Sequence, residues 1–380
     1  MDFNYTEEQL AIQDTLKKFI AKDYSFEYRT SLTKTDLGHS ELAWKTFAEL
    51  GLLSLPFSEE YDGLGGTAID TMLVMEMLGK GLSLEPYIST VIISGGILQA
   101  FGSEKIKKDF LPKIGSGDLK ISFAHHEPNS RYQLNTVNTV AKNINGSWII
   151  SGKKSVVLHA PSANYLLVSA RNDGIVDSKE GITLFLIDTN TPGVKIRPYT
   201  TQDGARAADV ELNNISVSND SIIGSVGDAF PILNYGQDLA NAALCAEAVG
   251  IMSSLNEITL EYLKTRKQFG TVIGKFQALQ HRMADMILTT EQSRSLAILS
   301  AVAQSNPDNS KRTQETAIAK SYICKASRHI GQEAVQLHGG MGVTEELNVG
   351  HYFKRLTMIS LTYGDYDYHL DKVSEALLNI

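Results

Sequence analysis

The residues whose types and spacing could do chemistry gather at a corner late in the chain. Arg266 and Phe269, in Arg266-Lys267-Gln268-Phe269-Gly270, follow a long helical pattern, and Gln336 stands at the end of another, in Gln336-Leu337-His338-Gly339-Gly340. A guanidinium pairs with phosphate, a glutamine amide both donates and accepts, and paired glycines let bare backbone amides approach an anion or a base. Arginine, aromatic ring, glutamine and glycine together are what a dinucleotide would need. Taken alone, Arg266 could equally satisfy carbonyls at a helix end while Phe269 covers a core. A second candidate is Glu247, the only carboxylate between Asp238 and Glu257, in a segment of alanine, leucine and small residues. Burying it unpaired is expensive, so it must pair with a cation or serve a site. His125 and His126 are adjacent; on an alternating strand one would face the core and the other solvent or ligand.

Two amphipathic helices must position the corner. From Pro231 to Lys264 small residues (Ala242, Ala246, Val249, Gly250) share one face, and Phe276, Leu279, Met283 and Ile287 recur at helical spacing beyond it. Gly270 and Gly274 break the pattern between them. Earlier, Thr6 reads as a helix cap, with Leu10, Leu16, Phe19 and Ile20 on the face behind it. Further helical patterns cover about 40–51, 67–80, 88–101 and 104–114, and a proline- and glycine-rich loop fills 51–66. From Ile121 the period changes to two: short runs alternate or stay apolar up to Thr200, with a hairpin signal at Asn145-Gly146. Helix resumes after Gly224–Gly227, with Pro231 suited to a helix start. The fold class is therefore α+β: a helical lobe over 1–120, a β lobe over 121–228 and a helical bundle over 229–380.

A chain of 380 residues suits two or three compact lobes with ample core. Its net charge of -8 argues against nucleic acid as a main partner, because a phosphate backbone demands a basic face. Cys245 and Cys324 supply neither a disulfide framework nor metal-ligand spacing, and no metal is expected. No segment reaches the roughly 18–20 apolar residues of a membrane helix, and the acidic start lacks the basic flank and apolar run of a signal peptide. A cytoplasmic protein is expected.

The corner motif, the following Phe276-Gln277 and the Gln336–Gly340 segment together resemble the carboxy-terminal half of the acyl-CoA dehydrogenase family. The loop at 51–66 and the helix–β–helix order extend that resemblance over essentially the whole chain. It implies a helical amino-terminal lobe, a β-barrel or sandwich middle lobe and a carboxy-terminal four-helix bundle. It also implies FAD as cofactor, oxidation of an acyl-CoA thioester to the trans-2-enoyl-CoA, and electron-transfer flavoprotein as acceptor. Carried over position by position, Arg266, Gln268, Phe269 and Gln277 form one flavin-binding cluster; Gln336, Gly339 and Gly340 form the other, reached across a subunit interface. Within the family the likeness is strongest to the small subunit of pimeloyl-CoA dehydrogenase, carried by 123–134, 154–171, 243–250 and 349–357.

The chain also departs from the family's pattern. His126-Glu127-Pro128 stands where many relatives have Thr-Glu-Pro, and Val156-Val157-Leu158 where they set Trp-Ile-Thr against the flavin ring. Thr362-Tyr363-Gly364-Asp365 stands where they have Tyr-Glu-Gly-Thr, so that Tyr363 takes the place of the catalytic glutamate. Other relatives carry that base on the helix before the corner, at the position of Ala240; Glu247, seven residues on, returns to nearly the same helix face. Among the carboxylates it is the expected base. The departures imply an oligomer, a dimer or tetramer, in which a homologous large subunit completes the site. Two alternatives remain open: a non-catalytic structural partner subunit, and an acyl-CoA oxidase.

Overall fold

The computed structural model describes residues 5–378, which divide into two compact units. One gathers three separated stretches: the chain up to Thr30, Ala68–Ser83, and everything from Asn241 on. The other holds Ser31–Thr67 and Leu84–Ala240.

The first unit is helical. Helix α1 (Glu7–Asp23) opens on a reciprocal cap: Thr6 Oγ1 accepts from the Gln9 amide at 3.2 Å, and the Thr6 amide donates to Gln9 Oε1 at 3.0 Å. Its buried face is Leu16 and Phe19, whereas Leu10, expected on that face, lies exposed. Helix α2 (Phe26–Leu32) begins in this unit; its short run gives too few turns for a helical period to show. Helix α4 (Ala68–Gly81) packs against α1 and is buried over Met72–Gly79. Helix α7 (Phe230–Thr265) contributes its part from Asn241 onward. A Cβ at Gly79 would run into the Glu247 carbonyl, and one at Gly250 into that of Glu76, so α4 and α7 touch backbone to backbone. Helix α8 (Gln277–Ala303) turns Met283, Met286, Thr290 and Ser293 inward and leaves Phe276 and Ile287 exposed, against the apolar spacing that groups them with Met283. Helix α9 (Asn309–His338) is flanked by α8, α10 (Asn348–Leu361) and α11 (Tyr366–Leu378).

The second unit carries helices α3 (Glu41–Glu49), α5 (Gly96–Phe101) and α6 (Glu104–Gly115), with a π-helical run over Ile88–Gly95 leading into α5. Its sheet comprises β1 (Ile121–Ala124), β2 (Val140–Ile144), β3 (Ser147–Leu158), β4 (Tyr165–Arg171), β5 (Ile182–Asp188), β6 (Val194–Thr200), β7 (Arg206–Ser218) and β8 (Ile222–Ile223). The pairing order is β6-β7-β3-β2-β4-β5-β8, with β1 parallel to β4. The path ends at β6 and β8, and this sheet is the β middle lobe that was expected. Asn145 and Gly146, at φ 53° and 85°, make the two-residue turn between β2 and β3. The thirteen-residue β7 pairs with both β3 and β6, yet the apolar runs did not reveal it, because its buried Val210, Leu212 and Ile215 are flanked by Ala207 and Ala208 and interrupted by Asn213-Asn214. Trp148, Ile150, Val168, Phe185 and Val210 anchor the core of this unit.

Candidate functional site

The corner is built on the end of α7. The Arg266 amide donates to the Tyr262 carbonyl at 2.8 Å, closing the last turn, and the Ile273 amide donates to the Arg266 carbonyl at 2.9 Å. Between them β9 (Lys267–Gln268) and β10 (Thr271–Val272) make a minimal hairpin whose tip is Phe269-Gly270, with φ 53° and 77°. A phenylalanine is strained at positive φ; here the hairpin imposes it and holds the ring 89% exposed, in edge contact with Phe276 alone among the aromatic rings described.

The two glycine- and glutamine-bearing segments lie side by side. The Tyr262 ring sits 4.4 Å from that of His338, and its hydroxyl donates to the His338 carbonyl at 3.4 Å, which joins the corner to the end of α9. One level further, Arg282 Nε meets Glu333 Oε2 at 2.5 Å and ties α8 to α9. Gly339 adopts φ 60°, and a Cβ on either Gly339 or Gly340 would meet nothing within 4 Å. Arg266, Gln268, Phe269, Gln277, Gln336, Gly339 and Gly340 are all exposed. Among the described residues nothing covers them: a phosphate-pairing cation, three amides, a ring and two open glycines face solvent on one end of the helical unit.

The candidate base positions are the reverse of this, fully occupied from within. Glu247 is buried, and both its carboxylate oxygens accept from Arg355 on α10, Oε1 from Nε at 2.5 Å and Oε2 from Nη2 at 2.7 Å. The pairing answers the burial problem that singled Glu247 out; Arg355, 108 residues away, was not visible as its partner. Tyr363 is buried in the turn after α10, and burial pushes its phenol well above the ordinary range, so it offers no base.

In the β unit His125 is buried and His126 half-buried. His125 follows β1 and is buried, its Nδ1 2.8 Å from Ser169 Oγ; His126 is pushed down to about 4 by burial and then by Lys154. Both lie beyond β1, which ends at Ala124, and they differ in burial, His125 fully and His126 only partly. Lys154, wholly buried, donates to Glu127 Oε1 at 2.8 Å, to the His125 carbonyl at 3.1 Å and to Ser169 Oγ at 3.1 Å. Burial works to raise the Glu127 carboxyl, but Lys154 and the Thr139 amide outweigh it and hold the group below its usual range. Val156 sits at a bulge in β3 with φ 52°, half exposed, while Val157 is buried. Residues 156–158 therefore offer a ligand no hydroxyl.

Three family models match end to end: the amino-terminal domain of acyl-CoA dehydrogenase at 6–118, the middle domain at 122–218 and the carboxy-terminal domain at 233–378. The chain belongs to the acyl-CoA dehydrogenase family. It is 30% identical to a probable acyl-CoA dehydrogenase, YngJ, of Bacillus subtilis over 96% of each chain. A solved structure described as the electron transferring flavoprotein of Acidaminococcus fermentans aligns with TM-score 0.91 and 26% identity over the whole of both chains. Another, PigA with FAD and proline, aligns with TM-score 0.90 and 26% identity over 99% of each. Acyl-CoA dehydrogenases are FAD-dependent oxidoreductases, and this chain is an enzyme of that class. Its exposed corner fits the pyrophosphate and adenine of FAD by donor chemistry: cation, amides and bare backbone, with space over both glycines. Among the described residues no helix is long and apolar enough to cross a membrane, and no cluster of side chains could hold a metal ion.

Proposed function

We propose that this chain is one subunit of a heteromeric acyl-CoA dehydrogenase that desaturates an acyl-CoA thioester and passes electrons to an electron-transfer flavoprotein. The likeness to the pimeloyl-CoA dehydrogenase small subunit belongs to this reading, as do the lobe boundaries at 120 and 228 and a cytoplasmic location. FAD, when bound, accepts the β-hydride. Arg266 would neutralise the pyrophosphate; Gln268, Gln277 and Gln336 would bond to it or to the adenine; Phe269 would cover a ring face; Gly339 and Gly340 would let backbone amides approach. The observation that carries the reading is the contrast between this uncovered cluster and a Glu247 with both oxygens held by Arg355. A carboxylate of a homologous large subunit then removes the α-proton. The alignment with the Acidaminococcus fermentans structure, itself described as an electron transferring flavoprotein, supports the choice of electron acceptor.

A second reading keeps Glu247 as the base, favoured by its being the only carboxylate on α7 between Asp238 and Glu257. In it the ion pair with Arg355 opens when the thioester binds. Expression of the chain alone and with a candidate large subunit, followed by native mass and flavin absorbance, tests the heteromer. Flavin taken up only by the mixed assembly supports it; a homomer that holds flavin and bleaches with acyl-CoA overturns it.

A further inference from the structure

The segment that follows the two open glycines is fastened to the interior by one histidine. Gly339–Val343 forms a short 3-10 turn, and Thr344 closes it, its amide and hydroxyl both donating to the Met341 carbonyl, at 3.2 Å and 3.0 Å. His351, buried on the first turn of α10, sets its Nε2 3.1 Å from the Glu345 carbonyl and 3.3 Å from Glu345 Oε2. Lys354 on the same helix holds the other carboxylate oxygen at 2.6 Å. A Cβ at Gly350 would touch the Gly342 carbonyl at 3.5 Å, so the start of α10 lies directly on the glycine turn.

Behind the imidazole stands a cation that cannot yield. Arg29 on α2 is buried; its Nη1 lies 3.2 Å from His351 Nδ1, and its Nε donates to the Leu82 carbonyl at 3.4 Å. A guanidinium carries only donors and stays charged in proteins, so Nδ1 must be the acceptor. That fixes the tautomer: the single ring proton sits on Nε2 and is donated to the Glu345 carbonyl. A second proton would land on Nδ1 and set N–H against N–H at 3.2 Å. Burial, then Arg29 and Lys354, oppose it; the Glu345 carbonyl and carboxylate favour it, and the balance holds His351 below the ordinary histidine value. Arg29 from α2, Lys354 from α10 and Glu345 from the intervening segment are the charged groups that face the ring, and Phe26 meets it edge-on at 4.9 Å. Because the ring is rigid, an imidazolium that moves off Arg29 also withdraws Nε2 from the Glu345 carbonyl.

We propose that His351 is a positioning residue for the flavin: neutral, it ties Glu345 to Arg29 and holds the Gly339–Val343 turn in place for the ligand, and its protonation frees that turn, so that the chain sheds FAD as the medium turns acidic. The inference rests on the flavin corner proposed above.

The test compares the assembled holoenzyme with its His351→Gln variant, whose Oε1 can accept from Arg29 and whose Nε2 can donate to Glu345 with nothing to titrate. FAD affinity is read by ultrafiltration and flavin fluorescence, and amide exchange of the 339–350 peptide by mass. Both are measured at about pH 7.5 and about pH 5.5, either side of the ordinary histidine value. At the higher pH the two proteins should agree. At the lower, the parent should bind FAD about threefold more weakly than the variant or worse, within the tenfold per pH unit that one proton allows, and its peptide should exchange faster by a similar factor. Comparison at equal pH cancels the intrinsic effect of acid on exchange. Glu345→Gln, at an exposed side chain, removes the carboxylate that favours the imidazolium and should move the acid response to lower pH. That variant decides the matter if His351→Gln does not assemble: no movement, or movement to higher pH, overturns the proposal. So does an acid response that survives His351→Gln but is removed by His338→Gln, the histidine stacked on Tyr262 at the same corner. An assembly that takes up no FAD at either pH refutes the proposed corner alone, while the exchange of the peptide still decides on His351.

Discussion

The corner at 266–277 with 336–340 and the interior at Glu247 and Tyr363 belong to the same helical unit and are opposite in kind. At the corner polar and aromatic groups are exposed and unused, down to a phenylalanine 89% exposed on a strained hairpin tip. In the interior each candidate is already committed, Glu247 to Arg355 and Tyr363 to a buried turn. A surface that leaves a guanidinium, amides and bare glycines uncovered has the donors that the proposed FAD site requires, whereas a carboxylate with both oxygens engaged has its partner. An uncovered polar cluster and a self-satisfied ion pair thus coexist in one unit.

The largest effect expected concerns the interior. Arg355→Met leaves the Glu247 charge buried and unpaired, and should cost about 3–5 kcal/mol of stability, read as a fall in urea midpoint. Replacing both partners, Glu247→Leu with Arg355→Met, should recover most of that loss; no recovery would mean that Arg355 matters for something other than the pair. At the corner the expected change is in binding and not in folding. Arg266→Ala should weaken FAD by about 1.5–3 kcal/mol, the range for a hydrogen bond to a charged group, with the melting midpoint unmoved. Gly340→Val should likewise lower flavin content and spare stability, since its Cβ enters open space. A Gly340→Val protein with full flavin would reduce the Gln336–Gly340 segment to a helix end.

The smallest effect is a pH dependence in the β unit. The folded pKa values of His125 and His126 lie below the ordinary histidine value, chiefly through burial, so the unfolded chain binds protons first as the medium is acidified. Their contribution is therefore neutral above about pH 6.5 and increasingly destabilising down toward about 4, where His126 titrates. Glu127, held low, adds stability above the unfolded carboxyl range that is lost as pH falls through its folded value. His126→Gln should flatten the limb between pH 6.5 and 4 and leave the lower limb due to Glu127; urea midpoints over that range would show it.

The architecture was legible because it rests on local rules: a Thr6 cap, a period of two from Ile121, an Asn145-Gly146 turn and proline at the start of α7. The break between α7 and α8 was legible for a similar reason, since the turn within 266–277 has Gly270 at positive φ. What stayed hidden was set by distant pairing. Arg355 meets Glu247 across 108 residues and Arg29 meets His351 across 322, so no spacing records them. Strand β7 was missed because alanines and the Asn213-Asn214 pair break up its apolar alternation, and α2 because it is short.

The central claim is that this chain supplies the flavin corner while its Glu247 serves as half of an ion pair. Anaerobic flavin bleaching by acyl-CoA, measured on the complete assembly carrying Glu247→Gln, tests it most directly, because the amide keeps size and a hydrogen bond to Arg355. The account predicts full flavin content and a bleaching rate within a few fold of the parent. A fall of roughly 10²-fold or more at unchanged flavin content would contradict it and make Glu247 the base.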